Sequence, residues 1–428
     1  MIIYLDSVGC RLNQSEIEQF GRQLKSRGHQ LTADPAHADL AVINTCAVTA
    51  KASSDSRAKA RKLGESTRKG VVLTGCWSTL QPESAASMPN VHEVVKNEAK
   101  DSLVDRISPA DPIDSELGML GREPLPGLRK RTRAFIKVQD GCNLHCSYCV
   151  TTLARGKARS VPAAQVIDDI HYAERGGTQE VVLTGVHLGC WGQDLQYRSS
   201  LKELIREILA QTKIPRIRLS SLEPWDLDED FFSLWKNPRL CRHLHLPLQS
   251  GSDRILRRMA RRITTEEFAT LVDTARSLIP DLAITTDVIV GFPGETQRDF
   301  EDGCTFIESL SLAGGHVFSY SERAGTPASR LKERIPTKIR KERSKILRHL
   351  LRESRKHFRQ RQLGSKASVL WESIAGVTPQ GYKLKGWTDN YIRVHHTGSP
   401  DLSNTITPII LKDIKPGRDT ISVVLLEG

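Results

Sequence analysis

The sequence predicts an α/β protein with an open parallel sheet at the N-terminus, a partial (β/α)6 barrel in the centre and a small β-barrel at the C-terminus. Short apolar runs alternate with helical patterns up to about residue 325, which is typical of parallel sheets covered by helices. Short alternating runs broken by Gly and Pro follow after residue 362 and favour a small barrel. We expect domains over 1–107, 132–330 and 363–428, with a linker over 108–131 and a basic helical segment over 331–362.

The composition indicates a globular protein of the cytoplasm. The chain has 428 residues, 39% of them hydrophobic, and is long enough to bury several cores. The N-terminus has neither a basic stretch nor a long apolar run, and no run of about eighteen apolar residues follows, so we expect neither export nor a membrane partner. Nine cysteines, an odd number, favour metal binding or catalysis over a disulfide framework.

Three predicted strands of the first region each end beside a cysteine. The strands read IIYLDSV, LAVINT and VVLTG, and the cysteines are Cys10, Cys46 and Cys76. Because the carboxyl ends of parallel strands share the edge where ligands bind, we expect the three thiols to form a cluster. The alternative is that they are unrelated buried residues, since free cysteine is commonly buried.

A stretch punctuated by Pro and Gly, the predicted linker, separates this region from six strand candidates. The candidates read AFIKVQD, EVVLTGV, RIRLSSL, HLHLPLQ, AITTDVIVG and GHVFSYS. Polar and glycine-rich segments follow the strands, and the carboxyl ends of the strands carry the active site in barrels of this kind.

The first barrel strand leads into a dense group of cysteines. Cys142, Cys146 and Cys149 have the spacing C-x3-C-x2-C. Cysteine thiolates hold iron-sulfur clusters, and three ligands leave one iron of a 4Fe-4S cluster open. An open iron can chelate the amino and carboxylate groups of S-adenosylmethionine, and the spacing matches the signature of the radical S-adenosylmethionine enzymes. A zinc site that includes His145 is the alternative, although structural zinc sites use four ligands.

The cofactor-binding residues that we expect lie at the ends of the barrel strands or in the cysteine loop. They are Tyr148, Thr184, Gly185, Ser220, Glu223, Gln249, Ser250 and Gly291.

A strongly basic segment precedes the last region. Residues 332–361 hold thirteen Lys or Arg against three acidic residues, in a chain whose net charge is +12. Their apolar residues Ile339, Ile346, Leu347, Leu350 and Phe358 suggest an amphipathic helix with one packed face. The alternative to RNA binding is a solvated charged helix, but few acids are present to form i,i+4 pairs.

The RNA-binding residues that we expect are Arg155, Arg159, Lys341, Arg343, Lys345, Arg348, Lys383 and Arg393. Arg257, Arg258, Arg261 and Arg262 are further candidates that guide the RNA inward. The C-terminal aromatic residues Trp371, Tyr382, Trp387 and Tyr391 are candidates for stacking on bases, although some must belong to the core.

Taken together, these motifs resemble the methylthiotransferases over nearly the whole chain. The resemblance is carried by VGCRLNQSE, INTCAVT, TGC, the cysteine loop, LTGVHLG and HLHLPLQSGSDRILRRMAR. It implies that Cys142, Cys146 and Cys149 hold the 4Fe-4S cluster that cleaves S-adenosylmethionine to a 5′-deoxyadenosyl radical. Cys10, Cys46 and Cys76 would hold a second 4Fe-4S cluster that carries the sulfur to be inserted, and the terminal barrel resembles a TRAM domain.

The resemblance also implies a substrate and partners. The motifs look most like the branch that modifies threonylcarbamoyladenosine at position 37 of tRNA, in the anticodon stem-loop. A second S-adenosylmethionine would methylate the sulfur, and the reaction needs a sulfur donor and a low-potential electron donor such as flavodoxin or ferredoxin. The alternatives are a methylthiotransferase for isopentenyladenosine or for a ribosomal protein, and a non-enzymatic metal- and RNA-binding protein.

Cys190 departs from the pattern, which has a small residue there, and we expect Cys190, Cys241 and Cys304 to be structural or incidental thiols.

Overall fold

The structure is a computed structural model that describes residues 1–109, 121–123, 132–414 and 420–426. Most of the predicted linker over 108–131 lies outside the described residues.

The N-terminal domain is a five-stranded parallel sheet in the order β2-β1-β3-β4-β5. Its strands are β1 Ile2–Ser7, β2 Gln30–Thr32, β3 Leu40–Thr45, β4 Val71–Gly75 and β5 Val91–Val95. Its helices are α1 Arg11–Ser26, α2 Ala50–Ser66, α3 Cys76–Leu80, α4 Pro82–Ala86 and α5 Leu103–Ile107. The central strand β3 is buried along its whole length, because helices cover both faces of the sheet. The strand order reverses between β1 and β3, which is where open α/β sheets bind ligands.

The central domain repeats strand and helix around a partial barrel. Its strands are β6 Arg133–Lys137, β7 Gln139–Asp140, β8 Arg159–Ser160, β9 Glu180–Thr184, β10 Arg216–Leu219, β11 His243–His245, β12 Ala283–Val290 and β13 Gly314–Ser319. Its helices are α6 Thr151–Arg155, α7 Ala163–Arg175, α8 Leu201–Gln211, α9 Glu229–Phe232, α10 Asp253–Arg258, α11 Thr265–Leu278 and α12 Gln297–Ser309.

Six of these strands form the wall of the barrel. β10-β9-β6 and β11-β12-β13 are two parallel sheets, and single bridges from Ile217 to Leu240 and from Ser221 to His245 join them. Among the described residues no strand pairing joins β6 to β13, so the wall is open on that side. This arrangement confirms the predicted partial (β/α)6 barrel, and helix α1 of the N-terminal domain packs on β6 beside the opening.

The C-terminal domain is a closed five-stranded barrel in the order β14-β15-β16-β18-β17, as predicted. Its strands are β14 Lys366–Thr378, β15 Gly381–Thr388, β16 Arg393–Gly398, β17 Ile406–Ile414 and β18 Ile421–Leu425. The predicted runs did not include β15 and β17. Gly386 within β15 and Pro408 within β17 interrupt the alternation that identifies a strand in the sequence.

The basic segment forms the long helix α13, Thr337–Arg361, which packs on β13 and α12. Its buried apolar residues are Leu347, Leu351 and Phe358. Ile339 and Ile346 are 38% and 48% exposed, so the prediction that they belong to the packed face is wrong. At about 100° per residue, both lie about 80–100° around the helix from the buried stripe.

Candidate active site

Three cysteines of the N-terminal domain converge at the reversal point of its sheet. Cys10 precedes α1, Cys46 follows β3 and Cys76 begins α3. Gly9 has φ of +97°, and a Cβ atom on it would lie 2.4 Å from the Sγ of Cys46, so only glycine fits there. Burial raises the pKa of Cys46 to about 11 and also raises that of Cys10, and neighbouring thiolates of the group add to both shifts.

The chemistry of this group suits a bound metal centre. Cys46 and Cys76 are buried and Cys10 is exposed. Ionisation of Cys10 and Cys46 is unfavourable unless a cation compensates the charge. Soft thiolate ligands of this kind select iron-sulfur clusters, zinc or copper(I).

The second cysteine group lies in the loop between β7 and α6. Backbone N–H groups donate to two of its sulfur atoms: Leu144 to Cys142 and Thr151 to Cys149, each at 3.4 Å. Burial raises the pKa of Cys146 and Cys149. Hydrogen bonds to the sulfur atoms of an iron-sulfur site tune its potential, so this loop also fits such a cluster.

A buried network of charges joins the two cysteine groups. Arg155, which follows the second group, contacts Glu16 of α1 at 3.1 Å and Asp140 of the cysteine loop at 2.7 Å. Lys100 and Lys137 also contact Glu16, at 2.9 and 3.4 Å. Three cations thus face two carboxylates, and the charge of Arg155 opposes the raised pKa of both Cys10 and Cys46.

This network corrects the prediction that Arg155 binds RNA. Its side chain is only 2% exposed, and its guanidinium is committed to carboxylates and to the Oδ1 atom of Asn13 at 2.6 Å. A guanidinium in that position cannot reach a phosphate, so Arg155 instead joins the two domains.

Arg343 requires the same correction. It is buried on the packed side of the basic helix, and its Nη1 atom lies 2.6 Å from the Oε1 atom of Glu295. Arg159, Lys341, Lys345, Arg348, Lys383 and Arg393 are exposed, as binding to RNA requires. The aromatic candidate Trp371 belongs to the core of the C-terminal barrel and donates to Thr407 at 2.8 Å.

A cavity of about 880 Å³ lies where the N-terminal domain, the central barrel, α13 and the C-terminal barrel meet. Residues from all four parts line it: Cys10, Cys46 and Cys76; Thr184, Gly185, Ser220 and Asp287; Arg355, Phe358 and Arg359; and Trp387, Tyr391 and Arg393. The three predicted cofactor residues Thr184, Gly185 and Ser220 therefore share one space with the first cysteine group.

The other predicted cofactor residues lie outside this cavity. Glu223 accepts a hydrogen bond of 2.7 Å from Arg261, whose guanidinium also lies 4.0 Å from the Sγ of Cys146. Burial raises the pKa of Tyr148, which is in the same loop. Arg261 is thus buried beside the cysteine loop, which corrects its prediction as a guide for RNA.

The remaining three are held by other parts of the barrel. The backbone N–H of Gln249 donates to the backbone carbonyl of Asp287 at 2.9 Å, and the hydroxyl of Ser250 accepts from the N–H of Ser252 at 3.3 Å. Gly291 has φ of +70°, and a Cβ atom on it would lie 2.2 Å from the side chain of Arg340 of α13, so glycine is favoured there.

Tyr391 is a site residue whose position the sequence did not reveal. Its φ is +64°, and its ring stacks at 4.5 Å on both His243 of the central barrel and Trp387. Its hydroxyl accepts a hydrogen bond of 3.1 Å from Arg11, the neighbour of Cys10. Asn390 and Tyr391, just before β16, are typical of a turn. Only the structure shows that this turn contacts the central barrel at His243.

None of the nine cysteines forms a disulfide bond. Cys190 is buried and donates to the carbonyl of His187 at 3.0 Å, and burial raises the pKa of Cys241 to about 12. The described residues that line the cavity do not include Cys190, Cys241 or Cys304.

Comparisons with known proteins identify the family. Residues 136–307 match the Radical SAM superfamily, and residues 2–96 match the Uncharacterized protein family UPF0004. The chain is 36% identical over 414 residues to the threonylcarbamoyladenosine tRNA methylthiotransferase MtaB of Thermotoga maritima, covering 93% of this chain and 92% of the relative. It is 33% identical to the protein of the same name from Bacillus subtilis, with coverage of 95% and 93%. The chain belongs to the tRNA methylthiotransferase family. The resemblance stated from the motifs is therefore confirmed.

The methylthiotransferase is also similar to proteins with other names. It is 31% identical to the tRNA-2-methylthio-N(6)-dimethylallyladenosine synthase of Geobacter metallireducens, and the match covers 95% of both chains. Its fold resembles the radical S-adenosylmethionine methyltransferase TsrM of Kitasatospora setae with a TM-score of 0.57, at 16% identity and with 77% of each chain covered.

As a member of this family, the methylthiotransferase is a radical S-adenosylmethionine enzyme that acts on tRNA and uses two 4Fe-4S clusters and S-adenosylmethionine as cofactors. Within the ranges that the structure describes, no helix is long and apolar enough to cross a membrane.

Proposed function

We propose that this methylthiotransferase converts N6-threonylcarbamoyladenosine at position 37 of tRNA into its 2-methylthio derivative. The observation that carries the choice of nucleoside is the similarity over nearly the whole chain to relatives named for that substrate. The reaction replaces an unactivated C–H bond of adenine, which acid-base catalysis by side chains does not achieve.

The charge of the cavity supports this substrate. Besides Arg155, which is committed to Glu16 and Asp140, four arginines line it, Arg11, Arg355, Arg359 and Arg393, and Asp287 is the only acidic residue among the described lining residues. A threonylcarbamoyl group carries a carboxylate, which suits guanidinium groups. An isopentenyl group is a hydrocarbon and gains nothing from them.

The six cysteines are proposed as the cluster ligands. Cys142, Cys146 and Cys149 would hold the cluster that works with S-adenosylmethionine, and Cys10, Cys46 and Cys76 would hold the second. When bound, the two clusters supply the electron for cleavage of the cofactor and the sulfur for the new C–S bond, chemistry that no side chain provides.

The protein residues around these ligands orient and shield them. Arg155 holds α1 of the N-terminal domain against the cysteine loop through Glu16 and Asp140. These ion pairs fix the position of the first cysteine group relative to the second. Glu223 holds Arg261 beside Cys146. Cys46, Cys76 and Cys142 are buried, which limits the access of water to that part of each group.

The exposed cations of α13 and of the C-terminal barrel are proposed to hold the anticodon stem-loop. Phosphate contacts from Lys and Arg provide affinity without reading the base. The enzyme would work in the cytoplasm with a low-potential electron donor such as flavodoxin or ferredoxin and with a separate sulfur donor.

Mass spectrometry of tRNA nucleosides tests the proposal. A strain without the gene should lack 2-methylthio-threonylcarbamoyladenosine and accumulate the precursor without the methylthio group, and the gene on a plasmid should restore the product. Loss of the 2-methylthio derivative of isopentenyladenosine instead would assign the enzyme to the other tRNA branch. An unchanged tRNA profile would favour a protein substrate.

A further inference from the structure

Three polar side chains outside the cysteine groups meet on neighbouring strands of the central barrel. They are His245 at the end of β11, Asp287 on β12 and His316 on β13. Asp287 and His316 are direct partners in the parallel pairing of β12 with β13, so their side chains lie on the same face of the sheet. All three line the cavity that also contains Cys10.

Asp287 holds the two imidazole rings in place. Its Oδ1 atom lies 3.0 Å from Nδ1 of His316, and its Oδ2 atom lies 3.2 Å from Nε2 of His245. Burial alone would raise the pKa of Asp287, but the hydrogen bonds from the two histidines outweigh it and lower the pKa below its usual range. The carboxylate is therefore charged, and the histidines satisfy it from two sides.

The three side chains differ in which of their polar atoms remain available to a ligand. Nδ1 of His245 is already engaged with the hydroxyl of Thr285 at 2.9 Å, so both of its ring nitrogens have protein partners. His316 uses only Nδ1, and its side chain is 72% exposed although it lines a cavity between domains. His316 thus presents its second nitrogen, Nε2, to a ligand.

The surroundings of His316 suit a polar group attached to a flat base. Phe318, on the same face of β13, is 37% exposed, and its ring centroid lies 6.4 Å from that of His316. Arg355 of α13 approaches the start of the same strand at Gly314. The aromatic ring and the imidazole on β13, with the guanidinium of α13 beside the start of that strand, can receive a base and an anionic chain that extends from it.

We infer that His316, positioned by Asp287 and His245, binds the threonylcarbamoyl chain of the substrate nucleoside and so selects it over adenosine without that chain. This inference rests on the proposed function. The chain offers a ureido group, a hydroxyl and a carboxylate, and an imidazole nitrogen bonds such groups as donor or acceptor according to its protonation.

Binding of synthetic anticodon stem-loops to the reconstituted enzyme tests the inference. Two stem-loops of one sequence are compared, one with threonylcarbamoyladenosine and one with adenosine at position 37. The wild type should bind the modified stem-loop about tenfold more tightly, a typical value of one hydrogen bond to a charged group. His316→Ala should reduce this preference to less than about twofold and leave affinity for the unmodified stem-loop unchanged.

Two further variants separate selection from folding. His37→Ala removes a similarly exposed histidine that lies 2.8 Å from a carboxylate, Asp34, outside the cavity, and should keep the full preference. His316→Gln retains a polar group at the site and should restore part of it. Iron content and circular dichroism should be the same in all four proteins.

The outcomes distinguish this inference from the proposed function. A wild type without any preference would overturn the inference, while the proposed function is tested separately by the nucleosides of the deletion strain. A wild-type preference that His316→Ala retains would overturn the inference alone, as would equal loss of affinity for both stem-loops. Zinc or extra iron that the wild type binds and His316→Ala lacks would overturn it in favour of a metal held by His245, Asp287 and His316.

Discussion

Glu16 is a single buried carboxylate that joins two domains. It is 1% exposed and faces Arg155, Lys100 and Lys137. Burial alone would raise its pKa, but these three cations lower it well below its usual range. A carboxylate whose pKa is lowered by folding stabilises the protein above its unfolded pKa of about 4.3 and loses that contribution as the pH falls through its folded value.

Replacement of Glu16 by Ala should therefore destabilise the fold. The change leaves the buried Lys100 without its carboxylate partner and leaves Arg155 and Lys137 with Asp140 alone, and loss of one member of a buried ion pair typically costs about 3–5 kcal/mol. Urea unfolding at pH 7 measures the loss, and the variant should lose less stability than the wild type on acidification. Asp55→Ala, which removes an exposed partner 3.5 Å from Lys51, should cost less than about 1 kcal/mol. Equal and small effects of the two changes would contradict this account of the network.

Replacement of Cys46 by Ala tests the first cysteine group. The reconstituted wild type should hold about eight irons per chain and the variant about four, because one of two cubanes is lost. Cys304→Ala, which removes a thiol that does not line the cavity, should keep about eight. Zinc in place of iron in anaerobically prepared wild type would be inconsistent with the assignment.

The sequence identifies the cysteines more readily than the arginines. The positions of Cys10, Cys46 and Cys76 follow from strand ends, which local patterns show, and the fold brings them together as predicted. Arg155 is buried because it pairs with Glu16, which is 139 residues away in the chain. A local sequence pattern does not reveal such a distant partner.

Helix α13 is an element with two separate roles. Its apolar stripe belongs to two cores, since Leu347 and Leu351 pack with the central barrel and Phe358 packs with the C-terminal barrel. Removal of the chain after about residue 331 would expose both cores, so substitutions on the outer face are the better test of RNA binding.

Three exposed cations of α13 should contribute to affinity for tRNA. Lys341, Lys345 and Arg348 are replaced by Ala, and Arg343 is kept because it is buried with Glu295. We expect weaker binding and a flatter dependence of log affinity on log salt, by about 2–3 units of slope for three phosphate contacts. Salt titrations of tRNA binding measure this. As a control, replacement of the exposed cations Arg61, Lys62 and Lys69 of the N-terminal domain should leave the slope unchanged. An unchanged slope in the α13 variant would show that the cations of α13 face solvent and do not contact phosphates.

The turn between β15 and β16 is the element by which the C-terminal barrel reaches the cavity. Tyr391→Phe removes the hydroxyl that accepts from Arg11 but keeps the stacking of the ring. We expect tRNA modification to slow about tenfold, the effect of one hydrogen bond to a charged group, at unchanged iron content. A normal rate of product formation, measured by mass spectrometry, would limit this turn to a structural role.

At the scale of the whole molecule, the three domains enclose one cavity. The sequence predicts each domain separately, and it does not show that residues of the C-terminal barrel lie beside the first cysteine group. Trp387, Tyr391 and Arg393 share the cavity with the cysteines. Arg216, Arg218 and Arg242 fix the C-terminal barrel in place by donating to Ser368, Trp387, Thr388 and Asp389. Docking of domains depends on such pairs far apart in sequence, and periodicity does not reveal them.

The central claim is that both cysteine groups serve one reaction in this shared cavity. Its most direct test measures 5′-deoxyadenosine and 2-methylthio-threonylcarbamoyladenosine together, in reactions of reduced, reconstituted enzyme with S-adenosylmethionine, a sulfur source and tRNA that carries threonylcarbamoyladenosine. We expect the wild type to form both products and Cys46→Ala to form only 5′-deoxyadenosine. Methylthiolated nucleoside formed by Cys46→Ala at the wild-type rate would contradict the claim.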